Sequence, residues 1–150
     1  MSGEVNEPLP RMSKKKAEEW ARHFTDSMAR SAGVKISQKT VNPTFHECVG
    51  KNDEVAEDGR FNLDYYSRAP LKVADHAESV KKIREDLKRN GYKIDGYQEI
   101  HGENPSVILD ASDPDKGFSI SVRGYHPDDE LFFSISTPCL LPPGATQQQF

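Results

Sequence analysis

The sequence predicts an α+β fold: a two-layer sandwich in which two helices pack on an antiparallel sheet whose C-terminal part is a meander. Two observations carry that expectation. Two segments repeat apolar residues at 3.6-residue spacing and end at glycines. The C-terminal half is a series of short stretches alternating apolar and polar residues, separated by turns of Gly, Pro, Asn and Asp. Strands that follow one another through short turns pair antiparallel, and the resulting order is α-β-β-α-β-β-β-β.

Residues 1–12, with Gly3, Pro8 and Pro10, lack periodicity and read as a flexible tether. Ser13 can cap a first helix whose stripe is Ala17, Trp20, Ala21, Phe24 and Met28 and whose stop is Gly33. Glu18 with Arg22 and Asp26 with Arg30 stand four apart on its wet side. Val34 and Ile36 alternate with Lys35 and Ser37 as a first strand, while Phe45–Val49 fits either strand or loop. The acidic stretch 50–60 reads as an exposed loop. A second strand runs through Phe61, Leu63 and Tyr65 to about Arg68, before Pro70.

The clearest element is a helix over 75–90. Asp75 and Glu78 form an Asp variant of the capping box, and Ala77, Val80, Ile83, Arg84 and Leu87 trace its stripe. Glu78 with Lys82 and Glu85 with Arg89 are spaced as ion pairs. Strands then follow at 92–100, 106–111, 118–125 and 131–137, with turns at 102–105, 113–117 and 126–129. Phe118, Ile120, Val122, Leu131, Phe133 and Ile135 should face the core, together with Trp20, Phe24, Val80, Ile83 and Leu87. A single domain therefore spans 13–140, and the Pro- and Gln-rich stretch 141–150 reads as a disordered tail.

A chain of 150 residues is one domain's worth of polypeptide, and 35% hydrophobic residues make its core economical. The formal charge of -4, with both signs interspersed, argues against a nucleic-acid groove or a polybasic membrane patch. No segment approaches the roughly 20 apolar residues of a membrane-spanning helix. The first residues lack the charged and apolar regions of a signal peptide, so the sequence reads either as cytosolic or as starting after a processing site. Cys48 and Cys139, 91 positions apart and outside any CxxC, look like a long-loop disulfide, the alternative being two unrelated thiols. A disulfide would imply an oxidising, extracytoplasmic compartment.

Catalytic signatures are sparse. The five histidines stand singly, without HxH or HExxH spacing. His46-Glu47-Cys48 invites a metal or Cys–His reading, but neighbours on a strand point to opposite faces, and a surface histidine beside a disulfide explains the trio better. Asn52, Asp53, Glu54, Glu57 and Asp58, and Asp113 with Asp115, lack the spacing of a calcium loop. Neither GxGxxG, GxxxxGK nor GxSxG occurs, so no metal, cofactor or nucleophile is expected. What remains is a set of aromatic and arginine residues on the sheet face opposite the core: Tyr66, Arg68, Arg123, Tyr125 and Phe132. These are the residue types that anchor interfaces. A one-residue register error, or a covering helix or tail, would instead make them core.

The runs GYQEI, PSVILDASDPDKGFSISV and LFFSISTPCLLPPG, with Trp20, Gly91-Tyr92, Thr137-Pro138-Cys139 and Pro142-Pro143, resemble a family of small actinobacterial lipoproteins and secreted proteins of mostly unassigned function. The resemblance spans about residues 13–143. It implies an extracytoplasmic protein, but the lipobox cysteine of that family has no counterpart here, so membrane attachment would need an N-terminal lipid anchor absent from this chain. It supplies no catalytic residues. The expectation is a non-enzymatic binding module that engages a protein or an envelope component through its sheet face. The alternatives are a cytosolic inhibitor or immunity-type protein, and a small hydrolase or metal-dependent enzyme using His46, Cys48 or an acidic loop.

Overall fold

A computed structural model describes residues 8–50 and 52–149. It contains helices α1 (Lys14–Ala32) and α2 (His76–Arg89) and strands β1 (Asn42–Glu47), β2 (Phe61–Pro70), β3 (Lys93–Ile100), β4 (Ser106–Ser112), β5 (Ser119–Tyr125) and β6 (Glu130–Ser136). The fold is mixed α+β: one six-stranded sheet of order β1-β2-β6-β5-β4-β3, antiparallel throughout, with two helices. The α2 connection carries the chain from β2 to the far edge. The meander β3 to β6 then walks back until β6 pairs with β2.

Local chemistry explains the helix ends. The Ser13 hydroxyl accepts the Lys16 N–H at 3.1 Å, capping α1. At the other end Gly33 adopts φ 73°, and the N–H groups of Gly33 and Val34 reach the carbonyls of Arg30 and Ala29. That closure uses Val34, so the strand expected at 34–36 does not form. Ile36 is instead buried as an anchor of the connecting segment, and the first strand starts at Asn42. The capping box at Asp75 also fails. A 3₁₀ turn over Val73–Asp75 leads directly into α2, and the Asp75 side chain makes no capping bond. Glu85 and Arg89, spaced as partners of each other, pair instead with Arg84 at 2.9 Å and Asp86 at 3.1 Å.

The alternation expected of the strands is met. Leu63, Tyr65, Val107, Leu109, Ile120, Val122, Leu131, Phe133 and Ile135 are buried in one cluster with Ala17, Ala21, Met28, Val80, Ile83 and Leu87 of the helices. Trp20 and Phe24 are half-buried at its border, where Trp20 stacks on Phe118 at 4.3 Å between ring centroids and Phe24 meets Tyr92 at 5.3 Å. The buried stripe of α1 is made of Ala17, Ala21, Met28, Ala29 and Ala32 rather than of these rings. Ile83 is fully buried. Ile83→Ala is expected to cost on the order of 3 kcal/mol in urea unfolding, and a loss under about 1 kcal/mol would overturn its placement in the core.

Residues 8–12 and the segment from Leu140 to Gln148 also join the fold. Residues 8–12 belong to the stretch read as a tether, yet Arg11 bridges Leu141 in parallel and the Met12 N–H donates to the Leu141 carbonyl at 3.0 Å. Leu140 and Leu141 are fully buried, and Leu140 exchanges two main-chain bonds with Phe61. The residues of the expected tail that follow are held by side-chain and main-chain bonds as far as Gln148. The apolar pair at the head of this proline-rich run is its buried anchor. Residues 1–7, the rest of that tether, lie outside the described residues.

Candidate functional site

The pleat that buries Leu131, Phe133 and Ile135 turns Phe132 to the opposite face, and the same period-2 rule turns out Tyr66, Arg68, Arg123 and Tyr125. Sheet order then decides which of them meet. Because β6 lies between β2 and β5, Phe132 is the direct cross-strand partner of both Arg68 and Arg123. The rung continues to Ile108 on β4 and Gln98 on β3. Tyr66 lies one pleat further along β2 and is 45% exposed. Tyr125 packs its ring against Phe132 at 6.1 Å between centroids. All five residues expected on this face are on it, in neighbouring strands.

Each guanidinium is aimed by neighbours. Arg68 Nη1 reaches Glu130 Oε2 at 3.2 Å. The Arg68 main chain is held by the 3₁₀ turn Gln38–Thr40, whose Thr40 hydroxyl accepts the Arg68 N–H at 2.9 Å. Arg123 donates through Nε to the Ser121 hydroxyl at 2.8 Å, through Nη1 to the Tyr125 hydroxyl at 3.4 Å, and through Nη2 to Asp110 Oδ1 at 3.3 Å. The Tyr125 hydroxyl and the Asp110 carboxylate raise the Arg123 pKa above its ordinary value, against the opposing effect of partial burial. Arg68, Arg123, Tyr66 and Phe132, with Thr40, Asn42, Ser121 and Ser134, line a groove of about 500 Å3, and Glu130 and Asp110 stand beside its guanidiniums outside the lining. Thr40, Asn42, Glu130 and Asp110 were not legible as site residues, because only the strand order brings them here.

At the other end of the same face, His46 Nε2 lies 2.9 Å from Asp64 Oδ2, and the Ser136 hydroxyl donates to Asp64 Oδ1 at 2.5 Å. The carboxylate sits between the serine and the histidine, so the imidazole cannot take the serine's proton as a base in a catalytic triad must. Cys48 is bonded to Cys139 across a Cα separation of 6.1 Å. A Cys48 thiolate nucleophile is therefore ruled out, correcting the enzyme alternative on that residue. Among the described residues no three His, Cys, Asp or Glu side chains gather as metal ligands. Neither is any helix among them long and apolar enough to cross a membrane. The disulfide points to an oxidising, extracytoplasmic location.

A second polar cluster stands where the β3 edge meets α2. The Tyr97 hydroxyl donates to Glu99 Oε2 at 2.6 Å, and Arg84 stacks on the Tyr97 ring at 4.3 Å from its centroid. Burial and the adjacent carboxylate push the Tyr97 pKa far up, and the phenol's hydrogen bond lowers that of Glu99. A phenol so held is a strut between strand and helix, since it stays protonated across the ordinary pH range.

No protein-family model matches the chain, and comparison with curated proteins finds no significant relative.

Proposed function

We propose that this protein is a non-enzymatic extracytoplasmic module that binds a protein or envelope component through its open sheet face. In this reading the domain is a two-layer sandwich, with helices covering one face and the other left for a partner. The carrying observation is the cross-strand rung of Arg68, Phe132 and Arg123 flanked by Tyr66 and Tyr125. An open antiparallel face requires only polar residues for solvation, and large aromatics beside arginines are what interfaces use as anchors. The disulfide and the likeness to small actinobacterial secreted proteins support the compartment, with attachment to the membrane by an N-terminal lipid as the form such tethering would take.

The test is the double variant Tyr125→Ser, Phe132→Ser, with its fold checked by circular dichroism and urea unfolding. Both side chains are half-buried on the face away from the core cluster, so the variant is expected to fold. Co-sedimentation with a purified envelope fraction should fall about tenfold or more relative to the parent, the loss that truncating two anchors produces. Equal retention by a folded variant would overturn the reading.

A further inference from the structure

Resting on that reading of the face, we propose that its ligand is an extended acidic peptide segment of a partner protein, with carboxylates over Arg68 and Arg123 and an apolar side chain on Phe132. Charge singles out this occupant. The groove sets the guanidiniums of Arg68 and Arg123 on either side of Phe132, with their carboxylate partners Glu130 and Asp110 outside its lining. An acidic segment laid here meets two guanidiniums with N–H donors to spare, and opposite charge fixes its register across Phe132.

The carboxylates that now face the guanidiniums do not close the site. Glu130 and Asp110 contact them at 3.2 and 3.3 Å, and all four side chains are at least one-third exposed. Exposed pairs of this kind contribute little to stability and exchange readily for a better-placed anion. Their role is to hold each guanidinium in orientation, leaving further N–H donors for a bidentate contact.

Spacing fits a peptide. Arg68 and Arg123 are two strands apart, about 9.6 Å between backbones. In an extended segment, residues i, i+2 and i+4 share one side over roughly 13 Å. Long side chains on both partners take up the difference, so a Glu-x-apolar-x-Glu pattern sets its middle side chain on Phe132. Asn42 and Ser134 offer an amide and a hydroxyl to the peptide backbone at the groove walls.

The experiment uses the full chain and a blocked, fluorescently labelled Glu-Ser-Phe-Ser-Glu peptide, against counterparts with glutamine or lysine in place of both glutamates. Anisotropy titration at low salt should show the glutamate peptide binding about tenfold or more tightly than the glutamine one, and weakening as salt rises. Arg68→Gln and Arg123→Gln, each verified as folded, should each weaken it about tenfold. No binding, or binding of all three peptides alike, overturns the acidic-peptide assignment. Charge-independent binding that Tyr125→Ser, Phe132→Ser abolishes would leave the sheet face as the site and remove only the acidic ligand. Tighter binding of polygalacturonate or of phosphatidylglycerol vesicles than of the glutamate peptide would overturn the peptide in favour of an anionic glycan or lipid.

Discussion

Replacing both cysteines, Cys48→Ser with Cys139→Ser, is expected to lower stability by about 4–5 kcal/mol, the chain-entropy value for closing a loop of this length. The two are 91 positions apart, and their Cα atoms lie 6.1 Å from each other in the fold. The clip joins the end of edge strand β1 to the segment that follows β6, across β2. Without it, β1 keeps its ladder to β2 and the contact of Phe45 with Phe61 at 5.8 Å between ring centroids. Urea unfolding should therefore show the full loss, and amide exchange should show β1 opening first. Thiol titration of the denatured, unreduced parent should find no free thiol. A loss below about 1 kcal/mol would overturn the clip's importance. Because the disulfide carries so large a share of a domain's usual 5–15 kcal/mol, the folded form belongs where disulfides persist.

The elements that were legible in the sequence are those whose signal is local. Period-2 alternation in Phe118–Val122 and Leu131–Ile135 named the buried and open faces, and the structure buries Ile120, Val122, Phe133 and Ile135 accordingly. The stripe of Val80, Ile83 and Leu87 is buried as its spacing requires. Signals only three residues long were ambiguous. Val34 and Ile36 alternate like a strand, but the Val34 N–H closes the end of α1 and Ile36 plugs the core.

Strand order was the main thing the sequence withheld. Nothing in residues 61–70 says that they pair with 130–136, because that pairing depends on α2 carrying the chain to the far edge of the sheet. The five face residues could thus be named singly, whereas the rung that joins Arg68, Phe132 and Arg123 could not. His76 shows the same limit. It reads as one more isolated histidine, yet it is buried, bonded through Nε2 to the Leu71 carbonyl, and pressed so closely on Gly124 that a Cβ there would stand 2.5 Å from its Nδ1.

The loop 50–60 hid the most consequential polar contact, since its acidic composition reads as solvated and Asp58 is not. Asp58 and Arg60 are 1% and 2% exposed at their side chains, and Arg60 holds both carboxylate oxygens, with Nη2 at 2.6 Å from Oδ2. The pair also seats the C-terminal segment: Arg60 Nη2 donates to the Gln148 carbonyl at 2.7 Å, and the Gln148 N–H donates to Asp58 Oδ2 at 2.9 Å. The guanidinium's hydrogen bonds hold the Asp58 pKa far below the carboxylate range; burial opposes them, and the Gln148 N–H adds to them.

Removing one partner of a buried pair leaves the other charge uncompensated. Asp58→Asn is therefore expected to cost about 3–5 kcal/mol at pH 7 and to release the Gln148 amide to exchange. Replacing both residues, Asp58→Leu with Arg60→Met, should recover much of that loss. The pH dependence has a definite sign. A depressed folded pKa contributes stability that is complete above the unfolded value near 3.9 and disappears as pH falls through the folded value. The gap between parent and Asp58→Asn should thus stay constant from pH 7 to about 5 and narrow steadily below about 4. A gap that holds its size down to about pH 2.5, or one smaller than about 1 kcal/mol at pH 7, would mean that the tail is seated by Leu140 and Leu141 alone.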